Sequence, residues 1–194
     1  MNDLVKILGF AGSLRRGSYN KALLRAALEL VPDDAELDTF DLDGIPPFNQ
    51  DFERDPPEPV VQFKARIRAA DALLIATPEY NYSIPGVLKN AIDWASRPFT
   101  DNAFDSKPIA LMGASTGMLG TGRAQYDLRR SCVFLNMYPL NRPEVMVPYC
   151  EDKIDQAGRV TDGYTREKIR QLLQALVAWT QRLRAAEFAE QATS

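Results

Sequence analysis

Eight consecutive residues carry the densest chemistry in the chain: Ser13, Leu14, Arg15, Arg16, Gly17, Ser18, Tyr19 and Asn20, entered through Gly12. They offer two serine hydroxyls, two guanidinium groups and a carboxamide, beside the Tyr19 phenol. Such a set suits a phosphate, because each of these groups can donate to an anionic oxygen. Leu4 to Ala11 before them is an apolar run of strand length, and Leu23, Leu24, Ala27, Leu28 and Val31 after them recur at helical spacing. A strand, a glycine-bearing turn and a helix aim backbone N–H groups and the positive helix end at an anion. Gly12 and Gly17 have Walker A spacing, but Ser18 and Tyr19 stand where Lys and Ser or Thr are required. Gly9, Gly12 and Gly17 likewise miss the G-x-G-x-x-G order of a dinucleotide turn. Ser18 or Asn20 could serve simply as a helix cap. Two arginines and two hydroxyls exceed what a cap needs.

The sequence holds no histidine, and its two cysteines, Cys132 and Cys150, lack C-x-x-C spacing. Ser-His-Asp and Cys-His machinery are excluded, together with the commonest zinc and iron ligand. Cys132 lies in a helical apolar run, and Cys150 has no cationic neighbour in sequence to activate it. An enzyme so equipped most simply takes its reactivity from a bound cofactor.

The elements that must position these groups alternate along the chain. Glu36 to Leu42 reads as a second strand, and Gly44 to Pro59, holding five of the 13 prolines, as a long irregular loop. Val60 to Ala70 reads as a helix and Ala72 to Thr77 as a buried central strand. A second loop, Thr77 to Gly86, opens a helix through Val87, Leu88, Ala91, Ile92 and Ala95, with Lys89 and Asp93 as an i,i+4 pair. Ile109 to Gly113 is another apolar run. It feeds a third loop, Ala114 to Arg123, and a helix to about Leu135. Tyr138 to Val147 reads as a last strand broken by Pro143, and Thr165 to Ala185 as an amphipathic helix. Trp94 and Trp179 fall on helix faces and read as packing residues. The pattern predicts one domain over residues 1–186 and a polar, frayed tail over 187–194.

At 194 residues, 45 % hydrophobic and 25 % charged, the chain reads as a soluble globular protein with a full core. A net charge of −3 argues against nucleic acid as a partner. No apolar run approaches the ~20 residues that span a bilayer, the N-terminus lacks a basic signal region, and cysteine usage fits the cytoplasm.

Five strands alternating with helices predict an α/β fold, a doubly wound five-stranded parallel sheet with helices on both faces. The loops after strands one, three and four then meet at the carboxyl edge, where such sheets bind ligands. In the flavodoxin-like strand order the switch point lies between strands one and three and suits FMN. The first loop answers the phosphate. The flat isoalloxazine needs a planar contact and donors along its polar edge. Pro78, Glu79, Tyr80 and Asn81 suit that edge, with Tyr80 or Tyr82 flanking the ring, and Ser115, Thr116 and Gly117 could approach from the other side. Glu79 invites a general-base reading, but a carboxylate at a helix start is more often solvated or dipole-stabilised. Tyr80 and Tyr82 equally suit a rim or an interface, and Gly117, Gly120 and Gly122 a merely flexible loop.

Taken together, Gly12-Ser13-Leu14-Arg15-x-Gly17-Ser18-x-Asn20 and the run Pro78-Glu79-Tyr80-Asn81-Tyr82-Ser83-Ile84-Pro85-Gly86-x-Leu88-Lys89-Asn90-Ala91-Ile92-Asp93-Trp94 resemble the NADPH-dependent FMN reductase family. This is the flavodoxin-like group that includes bacterial quinone and chromate reductases. Ser115-Thr116-Gly117 and Gly122-Arg123-Ala124-Gln125-Tyr126 support the resemblance, which runs over the whole domain. It implies noncovalent FMN, with Ser13, Arg15, Ser18 and Asn20 on the phosphate and Leu14, Arg16, Gly17 and Tyr19 completing that loop. Pro78 to Asn81 and Ser115 to Gly117 would surround the ring. It also implies a ping-pong cycle with NADPH or NADH as donor and quinones, flavins, azo compounds or chromate as acceptors. The chemistry is then at flavin N5, with no catalytic side chain and no metal. Family members form homodimers or homotetramers with the flavin near the interface, for which the proline-rich loop and the Tyr82 and Arg97 regions are candidates. Two other classes stay open: a flavodoxin-like electron carrier, usually far more acidic than this chain, and a non-redox binder of another phosphorylated ligand. A hydrolase is disfavoured for want of a base or metal.

Overall fold

A computed structural model describes residues 4–191, with side chains described through residue 186. The chain alternates strand and helix: β1 (Val5–Ala11), α1 (Tyr19–Leu30), β2 (Ala35–Phe40), α2 (Glu58–Ala69), β3 (Ala72–Ala76), α3 (Gly86–Ala95), β4 (Pro108–Ala114), α4 (Gly122–Phe134), β5 (Tyr138–Pro139), β6 (Val145–Val147) and α5 (Gly163–Gln191). The strand order is β2-β1-β3-β4-β5, with β6 also on β4, and every pairing is parallel. This is the flavodoxin-like order, with its switch point between β1 and β3.

The fifth sheet position is filled by two short pieces. Pro108 and Ile109 of β4 pair with Tyr138 and Pro139, whereas Met112 to Ala114 pair with Val145 to Val147. Between them the chain leaves the ladder through Arg142 and Pro143, proline having no N–H to donate. The Arg129 guanidinium spans the gap, Nη2 donating to the Leu140 carbonyl at 2.8 Å.

Each sheet face is covered, so β1, β3 and β4 are apolar on both sides. Val5, Ile7, Leu74 and Met112 pack with Leu23 and Ala27 of α1 and Leu172, Leu173 and Leu176 of α5. Leu8, Phe10, Leu73, Ile75 and Leu111 pack with Phe63 and Ile67 of α2, Leu88 and Ile92 of α3 and Leu128 of α4. Helix α5 begins behind Asp162, whose Oδ2 accepts from the Thr165 N–H at 2.7 Å. It continues to Gln191, past the point where composition predicts a polar tail; residues 192–194 lie outside the described residues.

The proline-rich segment is fastened to α3. Trp94 Nε1 and Asn90 Nδ2 both donate to the Pro46 carbonyl, at 2.8 and 2.9 Å, and Phe48 meets Trp94 edge-on. Within the segment Gln50–Phe52 form a single 3-10 turn. Trp94 is thus a packing residue, as is Trp179, whose Nε1 donates to the Tyr138 carbonyl at 3.1 Å. The expected Lys89–Asp93 pair is present at 2.7 Å. Among the described residues no helix is long and apolar enough to cross a membrane.

Behind α3 a second fastening carries a titratable group. The nearly buried Lys64 ammonium donates to Asp101 Oδ2 at 2.7 Å, and Arg68 reaches the other carboxylate oxygen. The Lys64 hydrogen bond, with Arg68 assisting, holds the Asp101 carboxyl below its usual range. A depressed carboxylate adds stability above its unfolded pKa and loses it as pH falls through the folded value. Stability of the wild type is therefore expected to decline below pH of about 4, the ordinary carboxylate range. Asp101→Asn should lower the melting temperature at neutral pH and flatten that acid limb. Thermal melts across pH check this, and parallel limbs in the two proteins would contradict it.

Candidate functional site

The sheet ladder runs one residue beyond each of three strand ends, and this sets the loops side by side. The Gly12 N–H donates to the Ala76 carbonyl at 2.9 Å, that of Thr77 to Met112 at 3.0 Å and that of Ser115 to Val147 at 3.0 Å. Loops 12–18, 77–85 and 115–121 thus leave the carboxyl edge in register. Loops two and three cross closely over β4. A Cβ on Gly113 would fall 2.0 Å from Thr121 Oγ1 and 2.3 Å from the Thr77 carbonyl, so only glycine lets both pass.

In the first loop Ser18 caps α1, its Oγ accepting the Lys21 N–H at 3.3 Å, and Ser13 Oγ accepts the Arg15 N–H at 3.4 Å. Both serines are buried. A hydroxyl that accepts still has its own hydrogen to donate. The first-turn N–H groups of Tyr19 and Asn20 have no intrahelical acceptor. Leu14, Arg15, Arg16 and Gly17 form the exposed crest, and the Arg15 guanidinium lies 5.0 Å from the Tyr19 ring centre. Among the described residues neither Arg15 nor Arg16 belongs to an ion pair. Beside the crest an open groove of about 470 Å³ separates it from the segment around Glu151 and Asp155.

Asn20 is the exception in this loop. It is buried and faces inward: its Oδ1 accepts the Ala114 N–H at 2.9 Å, and its Nδ2 donates to the Ala114 carbonyl at 3.0 Å. The carboxamide mimics a strand neighbour at the end of β4. It ties the first loop to the third, whereas the sequence reading places it on the phosphate.

The second loop contains a tight turn. Tyr80 and Ser83 exchange both backbone hydrogen bonds at 3.0 Å, and Asn81 and Tyr82 between them have φ of 51° and 67°. Two consecutive positive φ values define a type I′ turn. Tyrosine is a poor occupant of the left-handed region, so its neighbours must hold it there. Pro78 is buried, and Tyr80, Asn81 and Tyr82 are exposed. Glu79 points to the third loop. Its Oε2 accepts the Ala124 N–H at 3.1 Å, and its Oε1 lies 3.4 Å from Arg123 Nη1. The dipole-stabilised reading of Glu79 holds, but at α4 and not at α3, the helix that follows it in sequence.

In the third loop Ser115 is half-buried, with its Oγ accepting the Gly117 N–H at 3.1 Å; Thr116 and Gly117 are exposed. Three residues enter here that sequence reasoning left without a role. The Arg123 guanidinium sits 3.8 Å over the Tyr82 ring. Buried Gln125 donates to Thr121 Oγ1 and the Val145 carbonyl, both at 3.0 Å, and its Oε1 has no partner among the described residues. Tyr149, exposed and with φ of 48°, precedes Cys150, whose N–H donates to the Ser115 carbonyl at 3.2 Å. Only the Gly122-to-Tyr126 motif signalled the first two, and nothing signalled Tyr149. Neither cysteine is set up as an activated nucleophile: both are buried, which pushes the Cys132 thiol up to about 12 and the Cys150 thiol up to about 11.

Asn20→Ala should strip Ala114 of both partners in a buried setting. The expected loss is about 2 kcal/mol, the usual cost of buried unsatisfied backbone groups. Denaturant unfolding measures it, and a loss below about 0.5 kcal/mol, the range of neutral surface changes, would contradict the clamp.

A model of the family described as NADPH-dependent FMN reductase matches residues 5–152. An NAD(P)H-dependent FMN reductase of Pseudomonas aeruginosa is 54 % identical over 185 residues, covering 95 % of this chain and 100 % of the relative. A 2-hydroxy-1,4-benzoquinone reductase of a Burkholderia species is 43 % identical, covering 90 % of this chain and 96 % of its own. Among solved structures, the flavoenzyme NAD(P)H:(acceptor) oxidoreductase FerB from Paracoccus denitrificans superposes with a TM-score of 0.84 at 34 % identity, covering 92 % of this chain and 98 % of its own. With its strand order, its three loops and these matches, the chain belongs to the NADPH-dependent FMN reductase family.

Proposed function

We propose that the chain is an FMN-dependent NAD(P)H oxidoreductase that reduces quinones and similar small acceptors. The observation that carries this reading is the first loop. Two buried serine hydroxyls with hydrogens to give, the open first turn of α1 and two arginines without an ion pair among the described residues lie within one eight-residue loop. This donor set matches a phosphate dianion at a helix N-terminus. It stands at the switch point between β1 and β3, where an open α/β sheet binds its nucleotide.

When bound, FMN supplies the two-electron chemistry that links NAD(P)H to the acceptor. The chain holds and orients it. Ser13, Ser18 and the α1 N-terminus would anchor the phosphate, and Arg15 and Arg16 would neutralise it. Asn20 keeps that anchor at a fixed distance from Ser115 through Ala114. Pro78 and Glu79 would carry the backbone of loop two along one ring edge, while loop three would approach the other with the Thr116 N–H and the Ser115 hydroxyl. No side chain needs to move a proton, which suits a chain without histidine. The exposed Tyr80 and Tyr82 suit the open side where donor and acceptor enter in turn.

We also propose a homodimer or homotetramer and a cytoplasmic setting. An exposed edge-to-face pair, Phe99 and Phe134, with Arg97 stacked 3.7 Å over Phe99, favours a contact in the Arg97 region. The two free, buried thiols suit a reducing compartment.

The visible spectrum of the FMN-loaded protein tests the function. Anaerobic NADPH should bleach the flavin bands, and a quinone should restore them. Bands left untouched by NADPH and by NADH would favour an electron carrier and overturn the reductase reading. Arg15→Ala should weaken FMN binding roughly tenfold, as expected for one partly exposed charge-assisted contact. Unchanged affinity by fluorescence titration would remove Arg15 from the phosphate site.

A further inference from the structure

Loop two touches α4 at three points. Glu79 accepts the Ala124 N–H at 3.1 Å and meets Arg123 at 3.4 Å; the same Arg123 lies 3.8 Å over the Tyr82 ring; and the Ser83 hydroxyl donates to Asp127. Arg123 and Asp127 are i,i+4 neighbours, so one stripe of α4 grips the whole turn. Helix α4 has no cap of its own, for Thr121 makes no side-chain capping bond. Ala124 is at the third position of the helix, where a capping side chain normally binds. Glu79 therefore supplies from another loop the cap that α4 lacks. The carboxylate is largely withdrawn from solvent, its side chain only 10 % exposed. Each partner depends on the other: α4 needs the acceptor, and the left-handed Tyr82 needs the Arg123 stack to stay in place.

From this geometry we infer that Glu79 is a positioning residue, the centre of a clasp that sets the separation of loops two and three. The inference rests on the functional reading above, in which those loops are the two walls of the ring site. Glu79 itself does not touch the ring in this account. It acts through α4, fixing the Glu79 and Asn81 N–H groups, which meet no acceptor among the described residues, against the Thr116 N–H of loop three. Loss of the clasp lets the two walls part, so FMN is held less tightly and its ring sits in a wetter, less defined place.

The test uses full-length protein and FMN itself, with affinity read from quenching of flavin fluorescence and environment from the flavin absorption bands. Glu79→Ala removes acceptor and charge, whereas Glu79→Gln keeps a carbonyl oxygen for the Ala124 N–H. Asp162→Ala is the control, because it removes a comparable cap from α5, away from the loops. Glu79→Ala is expected to raise the FMN Kd about tenfold, the equivalent of one lost charge-assisted hydrogen bond, and to shift the flavin bands. Glu79→Gln should recover most of the affinity, and Asp162→Ala should leave affinity and bands unchanged while lowering the melting temperature. Glu79→Ala binding FMN like the wild type would overturn the clasp. So would Asp162→Ala weakening FMN to the same degree, since stability alone would then explain the effect. A wild type that takes up no FMN would refute the functional reading instead. The clasp would then be judged by amide hydrogen exchange over residues 79–83 and 122–127, which Glu79→Ala must accelerate if it stands; unchanged exchange would overturn it.

Discussion

The site depends on a problem at the end of β4. A parallel strand that stops at a ligand edge leaves backbone groups with no neighbour, and burying them unpaired is costly. Ala114 is such a residue, and the Asn20 carboxamide answers both of its groups at once. Asn20 stands in the first turn of α1, so the same pair of bonds fixes where that helix begins. The first loop thereby acquires a fixed position relative to the third loop, with β3 lying between β1 and β4. A carboxamide is the natural group for this, because it alone among short neutral side chains presents a donor and an acceptor side by side.

Crowding supplies the complementary constraint. Loops two and three cross over Gly113 with no space for a methyl group. Close approach brings Glu79 within reach of an uncapped helix, and the cap in turn keeps the approach close. The edge is therefore held by ladder bonds below, the Asn20 clamp on one side and the Glu79 clasp on the other. Such over-determination lets an aromatic residue occupy a left-handed turn position and lets exposed loops keep one geometry.

Much of this was legible in the sequence, for identifiable reasons. Alternation of apolar runs with 3.6-residue periodicity revealed the order of elements, because the central strands β1, β3 and β4 are buried on both faces and each helix on one. Ser18 was readable as a cap because its partner, the Lys21 N–H, is local. The last strand was readable as broken at Pro143, since the missing N–H is a property of the residue itself. That its halves keep the same neighbour was not, because the bridge through Arg129 is a tertiary contact.

Long-range partners were illegible for the same reason. Asn20 shares a motif with the proposed phosphate-binding residues, yet its partner is 94 positions away. Glu79 precedes α3 in sequence, and a helix dipole next in line is the obvious reading, but the nearer uncapped end in space belongs to α4. Both residues have the type that binds ligands, and both turn inward to hold the residues that could. The polarity of a loop thus overstates its contact with a ligand: some of its polar groups serve the backbone, and only the distribution of unpaired buried groups decides which. In this fold that division separates Ser13, Ser18 and Arg15, whose side-chain hydrogens meet no acceptor among the described residues, from Asn20 and Glu79, whose side chains are already engaged by Ala114 and Ala124.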